Sequence, residues 1–360
     1  MAMPTTLQGQ QNRTPCEDPM PLNRTEKQFS IVVATDQRIS ETDVLGFLHG
    51  LAGLAVPGEV ILVSDAQEGV ASTHVQQSLN DTVTLCRLTS ASRSRSLKKN
   101  LALTFVQSPL VIFLADDFLM TADAVRVHLD FHQRHPQTQY VALGLAHIPP
   151  QQQTLYNREI EQGGLLFGVP LPAKSSVRDM ERGIDFYFEG NTSLKTALLQ
   201  RCGPHNPLLE FDCTDDWEYG VRLKALGVKC FYLPQADLIH HHRVEILERF
   251  KSTVQSGYNL ARLGAGKTLP PDSPVPQLLH CLSSVKTAPD LVTFIRPLAK
   301  LLELSGLYCG AVLFRLGLPP SALYALQPTL GYPDDFNQAY QALQKVQTLS
   351  RQAGLQAITS

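Results

Sequence analysis

Short runs at 30–34, 60–63 and 110–114, with a weaker one at 83–86, read as strands, and the five apolar residues at 110–114 fit a strand buried on both faces. Between them, apolar residues return at helical spacing. Val44, Phe47, Leu48 and Leu51 follow Ser40 and Asp43, which resemble a capping pair. Leu97, Leu101 and Phe105 share one face of a helix over 94–106, and another helix over 122–134 stops before Pro136. This alternation predicts a parallel sheet with right-handed crossovers.

The second half is less regular. A strand at 140–145 is interrupted by Gly144, and 151–183 reads as a long loop holding a short helix. A strand at 186–189 leads into Gly190-Asn191-Thr192-Ser193, followed by a helix over 194–202. A helix opening at Asp215 is closed by Gly227, and strand character returns at 228–233 and 238–239. Only helices follow, at 244–263, at 291–316 with Pro297 near the start, and at 336–350. The organisation predicted is a disordered tail over 1–27, rich in Gln, Pro, Thr and Asn, and a main domain over 28–262. A linker over 263–289 and a helical region over 290–360 complete it.

Composition narrows the classes. A chain of 360 residues has room for two domains or one enlarged domain. Its net charge of −2 offers no global field for nucleic acid. The seven cysteines are scattered with no CxxC spacing, which argues against a zinc ribbon and suits a reducing, cytoplasmic compartment. No signal peptide is evident at the start. The apolar stretch over 298–318 contains Lys300, Glu303 and Arg315, too many charges for a spanning helix; it is free to pack on the core, form a homodimer or rest on a membrane surface.

The chemistry gathers where strands end. Asp36, Asp65 and the pair Asp116-Asp117 close the first, second and fourth strands, the edge where open α/β sheets bind ligands. Adjacent carboxylates repel unless a cation joins them, and a hard divalent ion carrying phosphate oxygens is a natural partner. Ordinary turn chemistry explains any one of them alone. Asp215, Asp216 and Glu218 fall in the first turn of a helix, where the dipole favours acids. In His240-His241-His242, strand alternation lets His240 and His242 share a site that His241 cannot. Gly264-Ala265-Gly266-Lys267-Thr268 has the tail of a P-loop, but Ala261 replaces its first glycine and Pro270-Pro271 bars the helix that should follow.

Four segments, in order, resemble inverting family 2 glycosyltransferases of the GT-A fold, over about 29–257. They are 31–38; 60–65; Lys99-Asn100 with Phe113-Leu114-Ala115-Asp116-Asp117; and Gly190-Asn191-Thr192-Ser193-Leu194 with Asp215 to Leu223 and His240. The chain departs from the family at Ala115, where an acid is usual, at Asp215, where Glu is common, and at Lys99, where Arg is usual. The resemblance implies an α/β, GT-A-like, Rossmann-related mixed sheet flanked by helices, with a C-terminal helical extension. It implies a hexosyltransferase moving sugar from a nucleotide-diphospho-sugar to an acceptor hydroxyl with inversion. The acceptor it implies is an unidentified glycan, lipid-linked group or small molecule. By the resemblance, Thr35, Asp36, Asp65, Lys99, Asn100 and Asp116 would bind the donor nucleotide, with Lys98 near the diphosphate or on a solvated helix face. Asp117 and His240, or His242 in its place, would face Mg²⁺ or Mn²⁺. Asp216 would be the general base with Asp215 beside it. Asn191, Thr192 and Trp217 would face sugar or acceptor; the competing readings are a helix cap at Thr192 or Ser193 and a core position for Trp217. A nucleotidyltransferase and a non-catalytic sugar- or nucleotide-binding scaffold of the same fold are the alternatives.

Overall fold

A computed structural model of the chain describes residues 26–35, 40–66, 74–162, 180–182, 187–209, 214–241, 244–263, 280–281, 283–284 and 291–320. The expectations for the 1–25 tail, Asp36, His242, the 264–268 segment and the 336–350 helix lie outside these residues, as does most of the 263–289 linker.

The described strands are β1 (Phe29–Ala34), β2 (Gly58–Asp65), β3 (His74–Ser78), β4 (Val83–Ser90), β5 (Leu110–Leu114), β6 (Phe118–Leu119), β7 (Tyr140–His147), β8 (Met180–Arg182), β9 (Asn191–Lys195) and β10 (Lys229–His240). They form one sheet in the order β3-β4-β2-β1-β5-β9-β7-β10-β6, with β8 paired to β10. β4, β2, β1 and β5 are parallel, the order of one half of a doubly wound nucleotide-binding fold. β9 then runs antiparallel to both β5 and β7, while β10 is parallel to β7. The carboxyl ends of β1, β2, β5, β7 and β10 therefore share one edge, and β9 brings its amino end to the same place.

Helices α1 (Glu41–Phe47), α2 (Arg95–Leu103), α3 (Ala122–Arg134), α4 (Leu155–Gln162), α5 (Thr196–Cys202), α6 (Asp215–Ala225), α7 (Ile246–Arg262) and α8 (Leu291–Arg315) flank the sheet or follow it. Strand alternation divides the core. Ile31, Val33, Ile112 and Leu114 pack with residues of α1 and α3. Val32, Val111 and Phe113 pack on the other face with residues of α2, α5 and α6. Ser40 and Thr121 cap α1 and α3 by accepting from Asp43 N and Ala124 N, each at 3.1 Å. Gly227, at φ +71°, closes α6 as expected.

Three expectations are corrected. The strand placed at 186–189 is β9, later in the chain, so α5 begins at Thr196 and neither Thr192 nor Ser193 caps it. Three polar residues at its start made β9 hard to read, but each is buried and hydrogen-bonded. The pieces at 228–233 and 238–239 are one strand, with a register shift between Leu233 and Asp237. The third is α8, which over Pro297–Arg315 is long and apolar enough to cross a membrane, by length and composition, despite its charges. It packs on α7, where a Cβ on Gly257 would come within 1.9 Å of Leu307 O. Glu303 of α8 is paired with Arg249 of α7 at 2.8 Å.

Candidate active site

Helix α2 organises the acid-rich edge. Arg95, Lys98 and Lys99 are spaced i, i+3 and i+4, so one helix face presents three cations. Arg95 Nη2 reaches Asp116 Oδ1 at 3.5 Å, at the end of β5. Lys98, fully buried, donates to the Thr35 carbonyl at 2.5 Å and lies 2.6 Å from Asp65 Oδ1, at the ends of β1 and β2. Lys99 donates to Glu189 Oε2 and to Asp215 Oδ2, both at 2.6 Å. A single helix thus ties together three strand ends, the approach to β9 and the head of α6.

Asp65 differs from the other acids. Its Oδ1 is ion-paired with Lys98 at 2.6 Å, and its buried Oδ2 has no hydrogen-bond partner. A carboxylate in that state is ready to accept from a ligand N–H or O–H. Asp116 is buried and held by Arg95. Ala115 N donates to Gly190 O at 2.8 Å, which joins the Asp116-Asp117 turn to the segment carrying Glu189.

Asp117 Oδ2 meets His240 Nε2 at 3.0 Å, so the two residues expected to face a metal are neighbours. The pairing of Phe118 with His240 across β6 and β10 brings them together. His241 points away and stacks on Phe47 with ring centroids 4.8 Å apart. Among the described residues, no group of three or more His, Cys, Asp or Glu is placed to hold a metal ion. Asp117 and His240 still fit as a partial site: one oxygen and one nitrogen donor, with a diphosphate and water left to complete the shell.

The head of α6 carries the other acids. Asp215 is buried against Lys99, whereas Asp216 is half-buried and its Oδ1 accepts from Trp217 N at 2.7 Å. Burial and the adjacent Asp215 charge push the Asp216 carboxyl up to about 7, with Lys99 opposing. Burial would raise Asp215 too, but Lys99 outweighs it and holds that carboxyl low. Burial likewise opposes ionisation of Glu189, yet His205 and Lys99 keep it well below the usual carboxylate range. Trp217 is 42% exposed, so it is not the core tryptophan of the competing reading.

Other expected site residues are engaged elsewhere. Asn191 is fully buried: its Nδ2 donates to Leu145 O at 2.9 Å and to Ala236 O at 2.7 Å, bridging β7 to the irregular part of β10. Gly144 leaves room for that amide, since a Cβ there would lie 2.2 Å from Asn191 Nδ2. Thr192, also fully buried, donates to Phe188 O. Neither side chain is available to a sugar. Asn100 exchanges hydrogen bonds with the His205 backbone, at 2.9 Å and 2.7 Å, and so holds a loop in place of a nucleotide. Lys99 is likewise committed to protein carboxylates and not to a donor phosphate. Sequence reasoning missed Glu189, His205 and Tyr187. An acid immediately before Gly190-Asn191 was the one legible signal.

No protein-family model matches the sequence, and a search of curated proteins finds no match. Solved structures overlap it loosely. S. aureus TarS 1-349 in complex with UDP is 15% identical with a TM-score of 0.45, covering 81% of this chain and 92% of its own. The same protein in complex with UDP-GlcNAc gives a TM-score of 0.43 at the same identity and coverage. GalNAc-T7 with UDP, GalNAc and Mn²⁺ is 13% identical with a TM-score of 0.45, covering 61% of this chain and 44% of its own.

Proposed function

We propose that this protein is an inverting glycosyltransferase of GT-A type that uses a nucleotide-diphospho-sugar. One observation carries the reading: acids from separate segments, Asp65, Asp116 with Asp117, Glu189 and Asp215 with Asp216, meet at one sheet edge around the cations of α2. That edge is where an α/β sheet of this order binds a nucleotide. The Asp65 carboxylate, ion-paired with Lys98 through Oδ1 and with Oδ2 unpartnered, suits a base or ribose. Asp116, fixed by Arg95, lies next to the Asp117–His240 pair.

Asp117 and His240 would hold a divalent cation, and the nitrogen donor favours Mn²⁺ over the harder Mg²⁺. Such an ion would neutralise charge on the departing diphosphate. Asp216 is the general base: it is half-buried, and near pH 7 a large share is ionised yet basic enough to accept a proton. The acceptor oxygen forms its bond to the anomeric carbon as the bond to diphosphate breaks on the opposite side, and the hydroxyl proton passes to Asp216. One displacement with one base inverts the anomeric centre. Trp217, exposed beside the base, offers a stacking face to a sugar ring.

The test is a thermal-shift series with UDP, GDP and dTDP, with and without Mn²⁺, followed by assay of the matching nucleotide sugars for turnover. A nucleoside diphosphate should raise the melting temperature, more so with Mn²⁺, and Asp117→Asn should remove the Mn²⁺ increment. No shift with any of them would sink the reading.

A further inference from the structure

The two acids at the head of α6 are adjacent in sequence but differently held, and Lys99 makes the difference. Its ammonium is 2.6 Å from both Asp215 Oδ2 and Glu189 Oε2. Glu189 is fixed in turn by Tyr187, whose hydroxyl donates to Oε1 at 2.6 Å, and by His205, whose Nε2 is 2.9 Å from each oxygen. The His205 ring stacks on Tyr219 of α6, with centroids 4.2 Å apart, so the clamp is built into the core. We infer that Lys99, clamped between Asp215 and Glu189, is the positioning residue that selects Asp216 over Asp215 as the base. The inference rests on the glycosyl-transfer reading for its catalytic meaning, although the clamp can be tested without turnover.

Among the described residues, carboxylates outnumber ammonium groups in this cluster. Asp215, Asp216 and Glu189 are three carboxylates gathered around one ammonium, and two of them touch it directly. Among the described residues, the charged and titratable groups facing the pair are Lys99 from α2, Glu189 and Tyr187 from the approach to β9, and His205 from the loop after α5. On α6 itself, Glu218 is closed on Arg222 at 2.9 Å and lends no free charge. From α7 comes a neutral contact, Asn259 Nδ2 to Thr214 Oγ1 at 3.0 Å. Proton affinity therefore falls on the carboxylate outside the clamp, Asp216, which is also the more exposed of the two. Without Lys99, two adjacent acids would compete for the role, and Asp215 would lose its fixed orientation.

The experiment is a pH titration of carboxyl ¹³C shifts in the full chain with labelled aspartate, with Asp215 and Asp216 assigned through their Asn variants. In the parent chain Asp216 should take up its proton at higher pH than Asp215. Lys99→Arg should keep that order. Glu189→Gln, which removes a nearby negative charge, should lower the Asp216 midpoint by about one unit, and Lys99→Met should raise it by about as much. A purely structural brace would lower the melting temperature and leave the midpoint where it was. Asp215 titrating above Asp216 in the parent overturns the inference, as does an unmoved midpoint in folded Glu189→Gln and Lys99→Met. Should both variants fail to fold, the parent order decides. If no nucleotide sugar turns over but the order holds, the transfer reading fails and the clamp stands.

Discussion

Strand β9 touches two buried polar networks, and they are built on opposite principles. At its amino end, Glu189 joins Lys99, Asp215, His205 and Tyr187 in a charged cluster. Along its length, Asn191 and Ser193 join His128 and His132: His128 Nε2 is 3.0 Å from Asn191 Oδ1, and both rings reach Ser193 Oγ, at 2.8 Å and 2.9 Å. The histidines of the second network are kept neutral. Burial pushes His128 down to about 4, and burial with the Lys195 charge pushes His132 down to about 2. Charge is tolerated at the sheet edge, where a reaction would need it, and both Glu189 and Asp215 are paired with Lys99. Deep in the sheet Asn191 and Ser193 are held to His128 by uncharged hydrogen bonds, because an ion there would be costly, and the Lys195 ammonium meets the network only at its His132 end, at 3.0 Å.

The sharpest test of the charged side is Asp216→Asn, which should lower turnover by about a thousandfold and leave nucleoside diphosphate affinity intact. Product formation and calorimetric titration read the two quantities, and unchanged transfer would remove Asp216 from the mechanism. Next comes stability. Lys99→Met strands two buried carboxylates and should cost about 3 to 5 kcal/mol in urea unfolding. Ser193→Ala, in the neutral network, should cost about 1 to 3 kcal/mol. Equal costs would erase the contrast between the networks.

Acid should separate them as well. A histidine whose folded value is depressed takes its proton first in the unfolded chain. Its stabilisation is complete above about 6.5 and drains as pH falls toward 4, about 3 kcal/mol for His128 alone. Glu189 and Asp215 are held below their ordinary values of 4.5 and 3.8, so their contribution is lost only below that range. The neutral network should therefore fail first, seen as a melting temperature that falls between about pH 7 and about pH 5 and falls less in His128→Asn. The smallest effect lies outside both networks. Gly257→Ala would push a methyl into Leu307 O and should cost about 1 to 3 kcal/mol without altering the pH profile.

The sequence was most legible where one rule acts alone. The apolar run of β5 announced a strand buried on both faces, and the acids after it lie at the expected edge. Asp117 and His240, over a hundred residues apart, do meet. Legibility failed where tertiary contacts override local pattern. Polar Asn191-Thr192-Ser193 does not look like a strand, because most of its hydrogen bonds go to α3, β7 and β10, partners that no local sequence window contains. Lys99 looked like a phosphate ligand for the same reason: its charge was visible, but Glu189 and Asp215, its partners, were not.

The contact from Asn259 to Thr214 gives the C-terminal helices a stake in the chemistry. Thr214 is the residue from which α6 starts, immediately before the acid pair, and it has no side-chain cap of its own. α7 supplies the missing grip, and α8 wedges α7 in place through the Gly257 approach. The described C-terminal helices are then a buttress and not an appendage: shortening the chain ahead of Asn259 would remove the contact that α7 makes with the residue preceding Asp215 and Asp216.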